Sequence, residues 1–453
     1  MALVNDYKTI ESTLEVPNQN SDKGLEVDVV TSEQAFNSLE YEWEILVDKS
    51  GGTVFQSFYW LFPWWKSYGA GAQLFILTVR KNDRLIGVAP FYLDILKIAG
   101  LPVTRYLRFI GSNVPSGYMK GTFIDYSVSD FLDVIVDQDH EHTVADCLLE
   151  ELTNRSGEYH KIILQETRSD SWVQRVLLPE MRSREWSYRY LGSDVCPVLY
   201  LNCDDRDKLL QEFISKRKSR RKLNRMMESE KNFKVRILQS ESEIEHYFPQ
   251  FVALYQSRWN EMGYPGTFND PRHHNFMLEV IRHKFKRHQL WFVVVETIEG
   301  EIIAFDINLL QGNAVYVYLG SFDHSSRYSK FSPGNAAQLF GIKHAVQSGI
   351  DELHLLRGDE KYKYDLTTDE IINSGIIIEN PRKSTTSKNA VVRVSESWQY
   401  LRNLVHKELI VVNITRRHFG LIGLPGAYIK NLSSRIREKI KSRNTVHTAP
   451  DVT

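Results

Sequence analysis

The sequence has little cysteine, almost no net charge and no long apolar run. Its three cysteines, Cys147, Cys196 and Cys203, are odd in number, and no two have C-x-x-C spacing, which argues against a disulfide framework and a zinc site. No apolar run approaches the roughly 18 residues that a membrane-spanning helix needs. The N-terminal residues are polar and lack the apolar core of a secretory signal. These absences favour a reduced, cytoplasmic protein.

Charge and composition narrow the class further. The 56 Lys and Arg residues nearly cancel the 57 Asp and Glu residues, so no global field attracts nucleic acid or an anionic membrane. Any such contact must come from a local patch. A hydrophobic content of 42% is enough to build buried cores, and a length of 453 residues suggests about two or three structural units.

The order of periodic segments predicts an α/β protein with mixed sheets. Residues 1–24 are polar and are expected to form a flexible leader. A first unit is predicted over residues 25–195, including a hairpin turn at residues 81–83, and a second unit over residues 196–384. Residues 385–453 contain basic, helix-forming segments and are predicted to be a helical extension.

A helix start is predicted after the last hairpin, at Ser332-Pro333-Gly334. Serine is a common N-cap, proline suits the first helical position, and glycine allows a ligand to approach the backbone. Such a helix end presents unpaired N–H groups and a positive dipole to an anion, for example the pyrophosphate of coenzyme A. Most Ser-Pro-Gly helix starts are only caps, however, so both interpretations stay open.

Polar residues alternate along the two preceding strands. Asp306 and Asn308 lie on one strand, and Tyr316 and Tyr318 on the next, so each pair occupies one face of its strand. If the strands pair, we expect all four side chains on one face of the sheet. The other face is then expected to carry Phe305, Ile307, Val315 and Val317. A buried Asp beside tyrosines suits acid and base catalysis, although a structural Asp fits equally well.

The segment RGDEKYKYDL follows the last predicted strand. Lys361 or Lys363 could neutralise a phosphate or carboxylate, and Tyr362 or Tyr364 could protonate a leaving thiolate. By composition alone, the segment is a solvated turn.

Several motifs together are similar to a known family. They are FQSFYWLFPWWKSYG, RLIGVAPFYL and LRFIGS in the first half, and RKSRRKLNR, EIIAFDI, YVYLGSFD, YSKFSPG and RGDEKYKY in the second. From about Trp43 to Tyr364 the chain resembles the CelD-like, or cellulose-biosynthesis-type, GNAT acetyltransferases, which are relatives of the FemAB-type transferases.

The resemblance implies tandem GNAT-like domains, the second of which transfers an acyl group from acyl-CoA, such as acetyl-CoA. The acceptor would be a small molecule or a saccharide. The residues expected to bind the donor are Ser332, Pro333, Gly334 and Asn335. Those expected to act in catalysis are Asp306, Tyr318, Tyr362 and Lys363. Those expected to contact the acceptor are Tyr316, Asp323 and Asp359.

Two further hypotheses compete with acyl transfer from CoA. The basic run Lys216–Arg225 could contact a charged tRNA in a FemAB-like aminoacyl transferase, or it could be only a solvated helix face. A scaffold without catalysis is the third hypothesis. The basic C-terminal segments could dock on the core, a partner or a membrane surface. No metal is expected, because Asp139–His142 and His273-His274 lack further ligands at suitable spacing.

Overall fold

A computed structural model describes residues 24–98, 101–112, 127–261 and 266–380. The predicted leader, apart from Gly24, and the predicted extension at residues 385–453 lie outside the described residues. The first half contains, in order, β1 (Leu25–Val30), α1 (Glu33–Ser38), α2 (Glu40–Ser50), α3 (Phe58–Tyr68), β2 (Gln73–Lys81), β3 (Arg84–Ile98), β4 (Leu101–Phe109), β5 (Ile135–Val136), α4 (Glu141–Asn154), β6 (Lys161–Arg168), α5 (Leu178–Ser183) and β7 (Tyr188–Tyr200).

The second half has more helix. It contains α6 (Arg206–Ser215), α7 (Lys218–Ser229), β8 (Phe233–Ile237), α8 (Glu241–Glu261), α9 (Pro271–Lys286), β9 (Leu290–Thr297), β10 (Ile302–Gln311), β11 (Ala314–Phe322), α10 (Pro333–Gln347), β12 (Glu352–His354), α11 (Lys361–Leu366) and β13 (Glu370–Glu379). The hairpin predicted at residues 81–83 is confirmed, and Asn82 and Asp83 adopt the positive φ angles of 51° and 64° that its tight turn requires.

The thirteen strands within the described residues form one mixed sheet. Their order is β1-β2-β3-β4-β6-β13-β7-β12-β11-β10-β9-β8, and β5 pairs with β3 outside this path. The long strand β7 joins the halves, because it pairs with both β13 and β12. It also runs through residues 195 and 196, where we predicted a domain boundary. Strand β13, which we did not predict, returns to lie between β6 and β7.

The two halves share a hydrophobic core as well as a sheet. Helix α3 contains the aromatic cluster around Pro63, and its Trp60 and Trp64 are fully buried, as expected for core packing. Trp60 meets Phe276 of α9 edge to face at 5.0 Å between ring centroids. Tyr68 hydrogen-bonds to His273 of the same helix at 3.0 Å. In the part of the chain that the structure describes, no helix has the length and apolarity to cross a bilayer.

Candidate functional site

The candidate site lies where β11 and β12 separate. These parallel strands pair over three residues only, Ala314–Tyr316 with Glu352–His354. The chain after β12 then follows β7, and the N–H of Leu355 donates to the carbonyl of Pro197 at 2.9 Å. Within the described residues, the second half of β11 therefore pairs only with β10. A notch opens beside it, in which main-chain groups can meet a ligand.

A bulge lies at the same point of β11. Ile307 pairs with Leu319 and Asn308 pairs with Val317, so Tyr318 is the extra residue. Bulges change the direction of side chains and interrupt regular pairing, and they are frequent beside active sites. Here the bulge at Tyr318 lies just beyond Tyr316, the last residue of β11 that pairs with β12.

Helix α10 begins at this notch. Pro333 is its first residue and Ser332 occupies the N-cap position, as predicted, but Ser332 adopts a left-handed conformation and no side chain caps the helix. Gly334 lies against Phe322, since an added Cβ would come within 3.0 Å of the ring. Glycine is thus needed here for packing. The uncapped end of this 15-residue helix carries the positive end of the dipole.

A cavity of about 240 Å³ adjoins the start of α10 and is bordered by α7 and α11. Its lining includes four cationic side chains and one acidic residue, Asp365. The cations are Arg217, Arg220, Lys222 and Lys330, and Ser332, Asn335 and Tyr362 also line the cavity. Arg220 is only 8% exposed, and its guanidinium lies 3.8 Å from the centre of the Phe213 ring and donates to the Phe213 carbonyl at 2.8 Å. The cavity therefore suits an anionic ligand.

Asp306 lies on the face of the sheet that α10 covers. Its cross-strand partner is Gly320, where an added Cβ would lie 2.8 Å from Oδ1 of the aspartate. Burial raises the pKa of Asp306 to about 7, although a hydrogen bond with Asn308 opposes this change. Its Oδ2 is buried and has no hydrogen-bond partner in the described part of the chain. A carboxylate in this state can accept a proton near neutral pH.

Tyr362 of α11 lies beside the same region and is 43% exposed. Desolvation raises its pKa, and the negative charges of Glu360 and Asp306 act in the same direction, while Arg258 acts in the opposite one. Tyr362 therefore keeps its proton at neutral pH and can donate it. The structure thus brings together Asp306, Tyr362, Ser332 and Asn335.

The prediction that both tyrosines share a face with Asp306 is wrong. Tyr316 pairs with Leu309, and the bulge directs Tyr318 to the same side, which is the face opposite Asp306. Tyr316 is buried and stacks on His354 at 4.9 Å. The hydroxyl of Tyr318 donates to the Val128 carbonyl at 2.8 Å. Phe305 and Ile307 lie with the tyrosines, whereas Val315 and Val317 pack on the other side.

The other predicted site residues lie apart from the cavity. Lys363 is buried, and its ammonium donates to the carbonyls of Leu356 at 3.0 Å and Arg357 at 2.6 Å. Asp323 accepts hydrogen bonds from the N–H groups of residues 325 and 326, which forms a local turn. Asp359 is exposed. Catalytic or binding roles for these three residues stay predictions.

A buried ionic cluster fixes the loop that leads to Tyr362. The Arg357 guanidinium contacts Glu166, lies 3.3 Å from Asp130 and donates to the Ser127 carbonyl at 3.1 Å. Desolvation raises the pKa of Glu166 to about 8, against the attraction of Arg357. Asn373 also donates to Glu166, at 2.8 Å. The first half thereby holds the segment of the second half that carries Tyr362.

The contact between α7 and α10 was not predicted from the sequence. The basic run Lys216–Arg225 is evident there, but nothing local connects it with a helix start more than 100 residues later. Lys330, which completes the cationic lining, was also missed. In the described ranges, no group of three or more His, Cys, Asp or Glu side chains is arranged to hold a metal ion.

Fold and site together define an α/β protein with a helix start and a cationic cavity at a divided pair of strands. Residues 215–364 match the family model described as an Acetyltransferase (GNAT) domain. This segment includes every residue of the cavity except Phe213, Asp365 and Leu366. The protein therefore carries a GNAT acetyltransferase domain and is an acyltransferase of the GNAT type.

Several solved structures are similar to this chain. The chain is similar to FemX with a TM-score of 0.53 at 12% identity, over 80% of this chain and 100% of FemX. It is also similar to the C-terminal domain of a putative lysylphosphatidylglycerol synthetase from Agrobacterium fabrum, at 10% identity and a TM-score of 0.44, over 81% and 96% of the two chains. A tandem GNAT protein of the clavulanic acid pathway matches at 8% identity and a TM-score of 0.39, over 78% and 99%. No curated protein matches in sequence.

Proposed function

We propose that the second half transfers an acyl group, such as acetyl, from acyl-CoA to an amine or hydroxyl. The observation that carries the proposal is the uncapped start of α10 beside a cavity with four cationic side chains. A pyrophosphate carries the charge and the acceptor oxygens that such a helix end and such cations bind. The pantetheine arm would then reach the notch beside β11.

The proposed reaction is direct transfer. The acceptor amine or hydroxyl attacks the thioester carbon, the C–S bond breaks, and the acceptor's proton moves to Asp306. Tyr362 donates its proton to the departing thiolate, and main-chain N–H groups of the notch stabilise the oxyanion. Tyr318 and Lys363, by their contacts, would support the strand and the loop without touching the reacting atoms.

Binding of the donor can be tested with a charge change at the helix start. Asn335→Asp adds a negative charge where α10 tolerates one, since acidic residues stabilise helix N-termini. The variant should fold normally but lose affinity for CoA and acetyl-CoA. Asn82→Asp makes the same charge change in the β2–β3 turn and serves as the control.

Thermal unfolding is a suitable readout, because a ligand at 100 times its Kd stabilises the folded state by about 2.7 kcal/mol. We expect CoA and acetyl-CoA to raise the melting temperature of the wild type and of the Asn82→Asp variant, and to have little effect on Asn335→Asp. Equal stabilisation of all three proteins would contradict the assignment of the helix start.

The acceptor class follows only from the resemblance to CelD-like proteins. The resemblance favours an acceptor that is a saccharide or another precursor of polysaccharide or cell-envelope synthesis, and a reaction in the cytoplasm. Assays with amino sugars and acetyl-CoA would test it, with release of free CoA as the readout. No release above the rate of hydrolysis with any amino sugar would remove this class.

Transfer from an aminoacyl-tRNA is the second candidate. It is favoured by the exposure of Lys218, Arg221, Lys222 and Arg225 along α7. Filter binding of tRNA should then show an affinity that falls steeply with salt. Partner binding without binding of either donor would instead support a scaffold role.

A further inference from the structure

Arg258 is a half-buried cation near the end of α8, beside the proposed site. Its guanidinium lies over the ring of Phe322, 5.4 Å from the centroid. Phe322 is the residue against which the start of α10 packs. The charge of Arg258 acts on Tyr362 and on His324, whose ring is 3.8 Å from that of Phe322. Arg258 therefore faces the region where α10, β11 and Tyr362 meet.

Arg258 has no counter-ion in the described part of the chain. No carboxylate lies within 4.0 Å of its guanidinium there, and no carbonyl accepts from it. Two carboxylates near His324, those of Glu261 and Asp323, are engaged elsewhere. Glu261, one turn further along the helix, accepts from the Ser257 hydroxyl at 3.2 Å, and Asp323 accepts from two main-chain N–H groups. A guanidinium that lies over an aromatic ring keeps its N–H donors available in its own plane.

Arg258 is not part of the cationic cavity proposed for the donor. That cavity is lined by α6, α7, the residues between them, α10, α11 and the segment before α10, and α8 contributes nothing to it. Phe322, which Arg258 covers, belongs to the end of β11. An anion on Arg258 would thus reach Tyr362 from a different direction than a ligand in the cavity.

We propose that Arg258 binds an anionic group, a carboxylate or a phosphate, of the acceptor. This inference rests on the proposed acyl transfer and adds the chemical class of the acceptor, an anionic amine or alcohol. Arginine pairs with either group through two parallel hydrogen bonds, which would orient the acceptor as well as attract it. The contact with Phe322 limits the freedom of the guanidinium, so less ordering is needed when the ligand binds.

Anion binding is tested first without knowledge of the acceptor. The full chain is saturated with CoA to fill the donor cavity, and sodium acetate or sodium phosphate is added at constant ionic strength. We expect at least one of the two anions to raise the melting temperature of the wild type further, and the anion that does so identifies the group. Arg258→Gln should lose this response. Arg282→Gln, which removes a surface arginine of α9, should retain it.

Transfer supplies the second test. D-Glucosamine and D-glucosamine 6-phosphate differ only in the anionic group, as do glycinamide and glycine. A charged hydrogen bond is worth roughly 10- to 100-fold in binding, so the preference for the anionic member of a pair should fall by about that factor in Arg258→Gln. Arg258→Lys should keep part of the preference, because it keeps the charge but not the fork.

The outcomes separate this inference from the proposed function. A CoA response without any anion response in the wild type, or an equal anion response in Arg258→Gln, would overturn the role of Arg258. Loss of the CoA response in Arg258→Gln would also overturn it, because Arg258 would then belong to the donor site. Absence of a CoA response in the wild type would contradict the proposed function instead.

Discussion

Replacing Asp306 with asparagine should stabilise the protein at neutral pH while it slows transfer strongly. The side chains have nearly the same shape, but asparagine has no charge to bury. Burial raises the pKa of Asp306 from 3.8 to about 7, which means that the folded state disfavours the carboxylate. Above pH 7 the wild type must hold this charge away from water, and the variant need not.

The sign and the size of this stability difference follow from the number of protons that the folded and unfolded states bind. Between pH 4 and pH 7 the folded wild type holds the Asp306 proton and the unfolded chain does not. Titration of Asp306 therefore lowers the free energy of unfolding of the wild type by about 1.4 kcal/mol per pH unit. The loss of stability begins near the pKa of Asp306 in the unfolded chain and is complete above its pKa in the folded state. It totals about 4 kcal/mol. Other buried carboxyl groups are common to both proteins and cancel in the comparison.

Urea unfolding at pH 4 to 8 measures this difference. The Asp306→Asn variant should match the wild type near pH 4 and exceed it increasingly up to about pH 7. Transfer by the wild type should rise as pH passes through 7, because a general base acts when deprotonated, and the variant should be slower by roughly 100-fold or more. A stability difference that stays flat from pH 4 to 8 would refute the assigned pKa, and unchanged turnover would refute the role as base.

Three other substitutions test separate parts of the account. Tyr362→Phe should lower the transfer rate by roughly 100-fold without changing the affinity for CoA, as comparison of kcat with the Kd would show. Gly320→Ala should destabilise the fold by about 1 to 3 kcal/mol in urea unfolding, because its Cβ would meet the carboxylate of Asp306. Arg357→Leu should cost about 3 to 5 kcal/mol in urea unfolding, because it leaves Asp130 and Glu166 buried without the cation that contacts both.

Local features of the fold could be predicted from the sequence because their causes are local. The Asn82-Asp83 turn and the start of α10 at Pro333 each depend on the conformational preferences of adjacent residues. The α/β class followed from alternating periodicities. Likewise, Asp306 could be selected because a lone carboxylate in an apolar strand implies a special environment.

Long-range pairing could not be predicted in the same way. The prediction that Asp306 and the tyrosines share a face of the sheet was wrong. Side-chain direction depends on strand register, and the extra residue at Tyr318 changes that register. Strand β13 was not predicted because its partners, β6 and β7, are roughly 200 residues earlier in the sequence. The cationic cavity depends on contacts between α7 and α10 that neither segment indicates alone.

A crystal structure with bound CoA is the most direct test, because it shows whether the pyrophosphate binds at the start of α10. We predict the pyrophosphate at the main-chain N–H groups of Gly334 and Asn335, with Arg217, Lys222 or Lys330 within hydrogen-bonding distance of its phosphates. The thiol should lie in the notch, near Asp306 and Tyr362. A CoA bound away from the start of α10, or with its thiol on the face of Tyr316, would contradict the account.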